Sequence, residues 1–282
     1  MSAPTLPIEC AAPATGHDST KAIAFEDVRI GFGDNEVLNG ISFHLNRGET
    51  KAVFGVAGSG KSLTLKLALG LLCPDSGHIL TLGHDVTEMQ EKDLFALRGR
   101  IGMVFQESAL FDSLSVAENV AYRLTEEHGI YDEAIDMKVR EVLRFVELEH
   151  TLNLYPSELS GGMRRRVAIA RALITQPELL LYDSPTGGLD PVTSNTIIEL
   201  IVKQRDVNKT SALLVTHRLQ DAFTMATHQF DRKTNKMVPL PPGQHCEVPM
   251  SFLILRDGKV IFDGDLGQLA CTQNEYIKEY IS

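Results

Sequence analysis

The chain of 282 residues has no tryptophan, only four cysteines, and no apolar run near the ~20 residues that a membrane-spanning helix needs. The cysteines, at positions 10, 73, 246 and 271, lack CxxC spacing. This favours reduced thiols in a cytoplasmic protein over a disulfide framework. The first 20 residues carry no Lys or Arg and three prolines. That is not the pattern of a secretory leader, and we expect a disordered tail over 1–20.

The chain also has fewer basic than acidic side chains, 27 compared with 37, and its net charge is −10. An acidic chain is poorly suited to coat nucleic acid or an anionic membrane. We therefore expect no nucleic-acid partner and no direct membrane binding. Hydrophobic residues make up 43% of the chain. This predicts one large α/β domain over 21–282 with an inserted subdomain.

Residues 55–62 fit G-x-x-x-x-G-K-[ST], the pattern of a phosphate-binding loop. The strand-like segment 51–54 precedes the loop and a helical pattern over 61–72 follows it. The loop should therefore present bare N–H groups at a helix N-terminus. Lys61 would add charge for the β and γ phosphates, and Ser62 a hydroxyl for Mg²⁺. The predicted nucleotide-binding residues are Gly55, Val56, Ala57, Gly58, Ser59, Gly60, Lys61 and Ser62.

A second buried strand, 179–183, ends in Asp183, a carboxylate placed to hold Mg²⁺. Pro185 and Gly187-Gly188 interrupt the chain after it. Asp190 and the following proline then predict the start of a helix, with Asp190 as its N-cap.

These residues, with Leu159-Ser160-Gly161-Gly162-Met163, resemble the ATPase subunits of ABC transporters over about residues 22–282. The resemblance implies a phosphate-loop, RecA-like parallel-sheet core, a small antiparallel β subdomain and a helical insertion that carries the signature motif. It implies ATP and Mg²⁺ as ligands. It also assigns four elements: Phe32, which would stack on adenine; Phe105-Gln106, similar to the Q-loop that reaches Mg²⁺; Gly188-Leu189-Asp190, similar to the D-loop; and Thr216-His217, similar to the switch histidine.

The signature segment has its own physical reading. Ser160 can cap a helix running to residue 173, while Gly161 and Gly162 leave its first N–H groups bare for an anion. The resemblance implies that this anion is the γ-phosphate of ATP held by a second ATPase subunit, in a homodimer or a heterodimer. The arginine run 164–166 is predicted to be a solvated or interdomain face.

A narrower resemblance links the chain to the ATPases of lipid-asymmetry, or mammalian-cell-entry, phospholipid transporters. It rests on residues 103–116 and 118–122, on Met163 in place of the usual Gln, and on residues 274–281. It implies lipid transport at the inner membrane. The chain would be cytoplasmic and would reach the membrane only through a transmembrane permease. ATPases of polar amino-acid and other importers share parts of these segments.

The family places Glu after the strand-end Asp, whereas this chain has Ser184. A serine hydroxyl is not a general base near neutral pH, so we expect binding without fast hydrolysis. Hydrolysis could rely on His217, a second subunit could carry the Glu, or Glu107 or Asp190 could reach the water. Two other functions stay open: a weakly hydrolysing regulatory subunit, and a non-transport ABC ATPase.

The rest of the sequence pattern predicts secondary structure outside these motifs. Residues 23–30 and 37–45 predict an antiparallel sheet, 109–164 a helical insertion, and 252–262 a hairpin turned at Asp257-Gly258. Prolines at 239, 241 and 242 predict an irregular insertion over 228–250. A metal site at His228, His245 and Cys246 is less favoured there than a solvated loop.

Overall fold

The computed structural model describes residues 20–241 and 246–281. The predicted tail therefore lies outside the described residues except for Thr20. The strands are β1 (Lys21–Phe32), β2 (Asn35–Asn46), β3 (Thr50–Phe54), β4 (Ser76–Thr81), β5 (His84–Asp85), β6 (Ile101–Val104), β7 (Leu179–Asp183), β8 (Ser211–Val215), β9 (His228–Asp231), β10 (Lys236–Pro239), β11 (Met250–Arg256) and β12 (Lys259–Asp265). The α-helices are α1 (Lys61–Ala68), α2 (Glu91–Arg98), α3 (Val116–His128), α4 (Glu133–Phe145), α5 (Gly161–Leu173), α6 (Pro191–Asn208), α7 (Leu219–Thr227), α8 (Leu266–Ala270) and α9 (Glu275–Ile281).

A six-stranded sheet of order β12-β11-β3-β8-β7-β6 forms the centre of the domain. The strands from β11 to β6 run parallel, and β12 pairs antiparallel with β11 at the edge. All residues of β3 and β8 are buried, as expected of parallel strands covered on both faces. The predicted α/β fold with a parallel core is confirmed.

A second, antiparallel sheet of order β2-β1-β4-β5 lies beside this core. It contains both predicted strands, 23–30 within β1 and 37–45 within β2. The alternation of Ile41, Phe43 and Leu45 places all three side chains in the interior. Phe43 stacks on Phe25 of the paired strand, with ring centroids 4.6 Å apart. Aromatic pairs of this kind stabilise neighbouring strands.

The helical insertion lies between β6 and β7, as predicted, and contains α3 and α4. The side chain of Ser115 accepts the Glu118 N–H, and that of Asp132 accepts the Ile135 N–H, so both helices begin at capped residues. The apolar faces of α3 and α4 join one buried cluster with α5. Helix α1 ends at Ala68, short of the predicted residue 72, because Gly70 takes a left-handed conformation with φ 62°.

The prediction of no regular structure over 228–250 is wrong in its first half. Strands β9 and β10 form a two-stranded hairpin in which Pro239 pairs with His228 at the open end. A proline is tolerated there because it removes only one ladder hydrogen bond at a strand terminus. The hairpin at 252–262 is confirmed, and Asp257 and Gly258 both have positive φ at its turn.

The less favoured metal site over this stretch gains no support. Within the described residues, the His228 imidazole lies 3.0 Å from the Thr224 carbonyl oxygen, and the Cys246 thiol lies 3.3 Å from that of Ala226. His245 lies outside the described residues. The structure also describes no helix long and apolar enough to cross a membrane.

Tyr182 of β7 places a hydroxyl in the core. Its side chain is 1% exposed, and among the described residues its oxygen has no hydrogen-bond partner. Burial raises the pKa of this phenol. A buried hydroxyl without a partner carries its full desolvation cost.

We therefore expect Tyr182→Phe to raise the free energy of unfolding by about 1 kcal/mol, because the ring stays and only the unpaired hydroxyl is lost. Urea denaturation measures the change. Tyr122→Phe, at an exposed position, is the matched control and should stay within about 0.5 kcal/mol of wild type. A Tyr182→Phe variant less stable than wild type would show that the hydroxyl has a partner.

Candidate nucleotide-binding site

The 55–62 loop joins the end of β3 to the start of α1, as predicted. Gly55 has φ 151° and Gly60 φ 90°. A Cβ on Gly55 would overlap the Leu255 carbonyl oxygen, so the loop fits its neighbours only with glycine there. Gly60 is the N-cap of α1 and has no side chain to cap it. The first N–H groups of the helix are therefore bare and suited to bind an anion.

Lys61 lies across this loop. Its Nζ donates hydrogen bonds to the carbonyl oxygens of Gly55 at 2.9 Å and Val56 at 2.8 Å. Burial lowers the pKa of Lys61, and the nearby Asp183 carboxylate raises it. The ammonium is thus held at the loop by weak carbonyl acceptors, which a phosphate can replace.

Ser62 connects the loop to the second predicted strand. Its Oγ donates to Oδ1 of Asp183 at 2.9 Å. Gln106, which follows β6, is exposed and lies beside Gly187 in the turn after β7. A hydroxyl, a carboxylate and an amide oxygen are ligands that Mg²⁺ accepts. The donor set therefore fits this ion.

The sheet order explains why the predicted residues converge. Gly55, His217, Asp183 and Gln106 stand at or just after the carboxyl ends of β3, β8, β7 and β6, which are neighbours in the sheet. Carboxyl ends of adjacent parallel strands share one edge, where α/β proteins bind ligands. His217 is exposed at this edge.

Phe32 lies at the entrance. Its side chain is 55% exposed at the end of β1. It lines a cavity of about 330 Å³ together with Gly58, Lys61 and Ser62 of the loop. An exposed ring at the mouth of a phosphate site is suited to stack on a base.

Ser184 begins the turn that follows Asp183. It is 7% exposed and has φ 44°, a left-handed conformation uncommon for a residue with a side chain. Its N–H donates to Val215 of β8 at 2.8 Å, and its carbonyl accepts the Gly187 N–H at 2.9 Å. The turn is therefore held by its own backbone, independently of the side chain at 184.

A buried network supports the same turn from the side of β8. The hydroxyl of Thr186 donates to the carboxylate of Asp221, and Arg218 Nε lies 3.4 Å from Asp221 Oδ1. Arg218 also donates to Ser194 of α6 at 2.6 Å. Arg218 is the residue after His217, so this network joins the turn to the switch segment. The sequence offered no signal for Asp221, which belongs to no motif.

Asp190 is the N-cap of α6, as predicted. Its Oδ1 accepts the N–H groups of Val192 and Thr193, both at 3.0 Å. The hydrogen bond from the Thr193 hydroxyl, followed by those from the backbone, lowers the pKa of Asp190. A carboxylate with a lowered pKa is a weak base. The structure thus gives Asp190 a capping role and makes it a poor substitute for the missing Glu.

The signature segment also begins its helix as predicted. Ser160 Oγ accepts the Met163 N–H at 3.2 Å, and α5 runs from Gly161. A Cβ on Gly162 would overlap the Thr193 side chain of α6, so this glycine permits close helix packing. Gly161 has no such crowding within the described residues.

The prediction that the arginine run is a solvated or interdomain face is wrong for Arg165. Arg164 is exposed and Arg166 half-buried, but Arg165 is 4% exposed. Its position on α5 turns it towards the interior, against the segments that follow β6 and β7. The helical periodicity of the segment after Ser160 could have indicated that one arginine of the run faces the interior. A run of like charges, however, usually predicts a solvated face.

Comparison with known proteins identifies the family. Residues 38–187, more than half of the chain, match the ABC transporter family. The chain belongs to this family. It is an ABC transporter ATP-binding subunit and an ATPase. It resembles a bacterial ABC transporter cassette, MJ0796, solved as a dimer, with TM-score 0.72 and 28% identity over 86% of this chain and 98% of that one.

Two of the curated relatives described below have a cargo in their names, and the two cargoes differ. The chain is 35% identical over 272 residues to the chloroplastic protein TRIGALACTOSYLDIACYLGLYCEROL 3 of Arabidopsis thaliana, covering 94% of this chain and 74% of that protein. It is 34% identical over 216 residues to the Escherichia coli K12 intermembrane phospholipid transport system ATP-binding protein MlaF, covering 77% and 80%. It is 42% identical over 197 residues to the Rhizobium etli methionine import ATP-binding protein MetN, covering 69% of this chain and 54% of that protein. The predicted resemblance to the family, and to the ATPases of phospholipid transporters such as MlaF, is confirmed.

We expect Lys61→Ala to weaken ATP binding about 10- to 100-fold, because it removes the charge-assisted hydrogen bonds to the phosphates. Equilibrium titration with ATP measures the affinity. Lys92→Ala, an exposed lysine of α2, is the control and should bind as wild type does. A folded Lys61→Ala variant with undiminished affinity would remove the loop from the site.

Proposed function

We propose that this chain powers a phospholipid transporter by binding and slowly hydrolysing ATP between two copies of itself. The observation that carries the proposal is the convergence of the phosphate loop, Asp183, Gln106 and His217 on one edge of the parallel sheet. The signature helix α5 supplies the other half of such a site. Because each chain carries both halves, two identical chains complete two sites.

The geometry supports a proposed role for each group that would bind the nucleotide. The N–H groups at the start of α1 and the Lys61 ammonium would hold the β and γ phosphates, and Phe32 would stack on adenine. Ser62, Asp183 and Gln106 would hold Mg²⁺. When bound, the ion would neutralise negative charge on the phosphate oxygens.

The dimer follows from the signature. Ser160 caps the first turn of α5, and the N–H groups of Gly161 and Gly162 lie at its start. These groups would bind the γ-phosphate of the nucleotide held by the partner subunit. The related cassette solved as a dimer is consistent with this arrangement. Each ATP would then be enclosed by two subunits, and hydrolysis would release them.

The chemistry would be slow because Ser184 occupies the position of the family's Glu. Its hydroxyl cannot hold a proton taken from water near neutral pH. Asp190 is committed to capping α6. Of the other groups considered from sequence, His217 and Glu107 are exposed. We assign His217 to orient the attacking water, since it stands at the same strand edge as the phosphate loop.

The proposed lipid cargo rests on how much of the chain each relative matches. The phospholipid transport relative MlaF aligns with 77% of this chain, whereas MetN aligns with 69% at higher identity. Residues beyond the shared cassette therefore favour the lipid systems. Methionine or another small polar solute is the second candidate, supported by the identity to MetN.

A groove on the helical insertion offers a docking site for the permease. It has a volume of about 770 Å³ and includes residues of α3, α4 and the segment that follows them. Tyr122 lines it, and Phe111 packs against Tyr122 with ring centroids 4.6 Å apart. Both rings are exposed. We propose that a cytoplasmic helix of the permease binds here and holds the chain on the inner membrane.

Purification of the tagged chain from its native membranes in mild detergent tests this function. We expect a multi-span permease to co-purify, and phospholipid to stimulate the ATPase of the complex. Tyr122→Ala should lose the permease while ATP binding persists. Met137→Ala, also exposed on the insertion but outside the groove, should retain it. Stimulation by methionine and not by phospholipid would contradict the lipid assignment, and absence of any membrane partner would contradict the transport role.

We expect Ser184→Glu to raise kcat by up to ~10²-fold with little change in ATP affinity, because it restores a base without altering Asp183 or the loop. Ser184→Gln is the matched control, similar in shape but unable to accept the proton, and should give no such gain. Steady-state phosphate release measures both. Wild-type turnover already within about 1–10³ s⁻¹, with Ser184→Glu no faster, would show that another residue supplies the base.

A further inference from the structure

Arg165 of helix α5 is a buried cation that no step above uses. Burial of a guanidinium is unfavourable unless its donors find acceptors and its charge is balanced. Among the described residues, both terminal nitrogens of Arg165 have carbonyl acceptors, whereas its buried Nε has none. Burial lowers the pKa of Arg165, and the Glu107 and Asp183 carboxylates act in the opposite direction. An arginine guanidinium keeps its charge in proteins, so a buried cation lies beneath the candidate site.

The terminal nitrogens of Arg165 donate to three backbone carbonyls in two segments of the chain. Nη1 donates to the Phe105 carbonyl at 3.0 Å and to the Ser184 carbonyl at 3.4 Å, and Nη2 donates to the Gly187 carbonyl at 3.3 Å. Phe105 directly precedes Gln106, and residues 184 and 187 begin and end the turn after Asp183. One side chain thus joins the Q-loop to both ends of this turn.

The same helix carries a second arginine on the Q-loop segment. Arg171 donates to the carbonyls of Ser108 at 2.8 Å and Ala109 at 2.7 Å. Both residues have positive φ, which is strained for side-chain-bearing residues and persists only when the surroundings enforce it. Helix α5 therefore holds this segment at two points.

Arg165 and the signature residue Ser160 lie on the same short stretch of α5. Ser160 caps the start of the helix, and Arg165 follows about 7.5 Å along the axis at ~1.5 Å per residue. A short helical segment moves as one body. Movement of Ser160 towards a nucleotide would therefore move the Arg165 guanidinium and the three carbonyls bound to it.

We propose that Arg165 is a positioning residue that couples the signature at Ser160 to Gln106 and the 184–187 turn of the same chain. The inference rests on the proposed function, since Ser160 would engage the nucleotide of the partner subunit. Arg165 needs no side chain at position 184, because every acceptor is a backbone carbonyl. The planar fork of arginine reaches several acceptors at once, which the single ammonium of lysine does not.

The lack of tryptophan in the chain permits a direct optical test. Phe105→Trp places a single indole next to Gln106 at a position that is 38% exposed. With Arg165 present, Mg-ATP should change the emission of this reporter. The Arg165→Met substitution in the same reporter chain should abolish the change, while ATP affinity, measured by equilibrium titration, stays within about threefold of the reporter chain.

Kinetics separates positioning from folding. Arg165→Met should lower kcat about 10- to 100-fold with a much smaller change in KM, and Arg165→Lys should not restore it. Arg166→Met is the matched control: this half-buried arginine donates to the Val146 carbonyl in the helical insertion. It should keep both the emission change and kcat. If Arg165→Met does not fold, Arg165→Gln, which keeps one donor, replaces it and should show a reduced emission change.

An unchanged emission response and unchanged kcat in a folded Arg165 variant would overturn the inference. An equal loss in the Arg166→Met control would do the same, since it would attribute the effect to the helix in general. Failure of the proposed function gives a different result, because the reporter chain with Arg165 intact would then bind no ATP, or would bind it without any change in emission.

Discussion

The hydrogen bond from Ser62 to Asp183, 2.9 Å long, joins the two halves of the candidate site. Ser62 stands in the first turn of α1, and Asp183 ends β7. The two segments are far apart in the chain, and they meet because β3, β8 and β7 are adjacent parallel strands. The phosphate loop, the metal ligands and the switch histidine all depend on this strand order. Any change that shifts β7 against β3 would separate the groups that are proposed to bind one nucleotide.

Charge at the site is consistent with binding without fast hydrolysis. Lys61 and Arg165 supply two cations, and Asp183 and Glu107 are the carboxylates that interact with them. With Ser184, the site lacks the further carboxylate that the family resemblance implies at this position. Under the proposed function, nucleotide capture would depend on the loop and on Asp183, and both are present. The proton acceptor is the group that differs from the family pattern, because Ser184 stands where the resemblance implies Glu.

The turn that carries Ser184 is held firmly although its side chain differs from the family pattern. Arg165 binds its carbonyls from one side, and Thr186 joins Asp221 and Arg218 on the other. These contacts involve backbone carbonyls or other side chains, so they are insensitive to the residue at position 184. The geometry for hydrolysis can therefore persist while the chemistry slows. In this respect, the catalytic group and its support are separate features of the fold.

Local patterns predicted the parts of the site that depend on local chemistry. The glycine-rich loop, the apolar run ending in Asp183, and the caps at Ser160 and Asp190 each follow from a few neighbouring residues. Contacts between residues far apart in the chain could not be predicted from local patterns. The hydrogen bond from Thr186 to Asp221, for example, joins residues 35 positions apart. The burial of Arg165 was also missed, since its acceptors lie in other loops. The β9–β10 hairpin was missed because prolines argued against strands, although Pro239 lies at the hairpin end. The predicted boundary between the tail (1–20) and the domain (21–282) stays a prediction, and so do the roles of the site residues.

The most direct test of this account places Mn²⁺ in the site instead of Mg²⁺ and measures its electron paramagnetic resonance with bound ATP. We predict one Mn²⁺ per chain with hyperfine coupling to phosphate phosphorus. Asp183→Asn should weaken Mn²⁺ binding strongly, while metal-free ATP still binds through the loop. Undiminished Mn²⁺ binding with phosphorus coupling in Asp183→Asn would contradict the account, because the ion would then lie away from the end of β7.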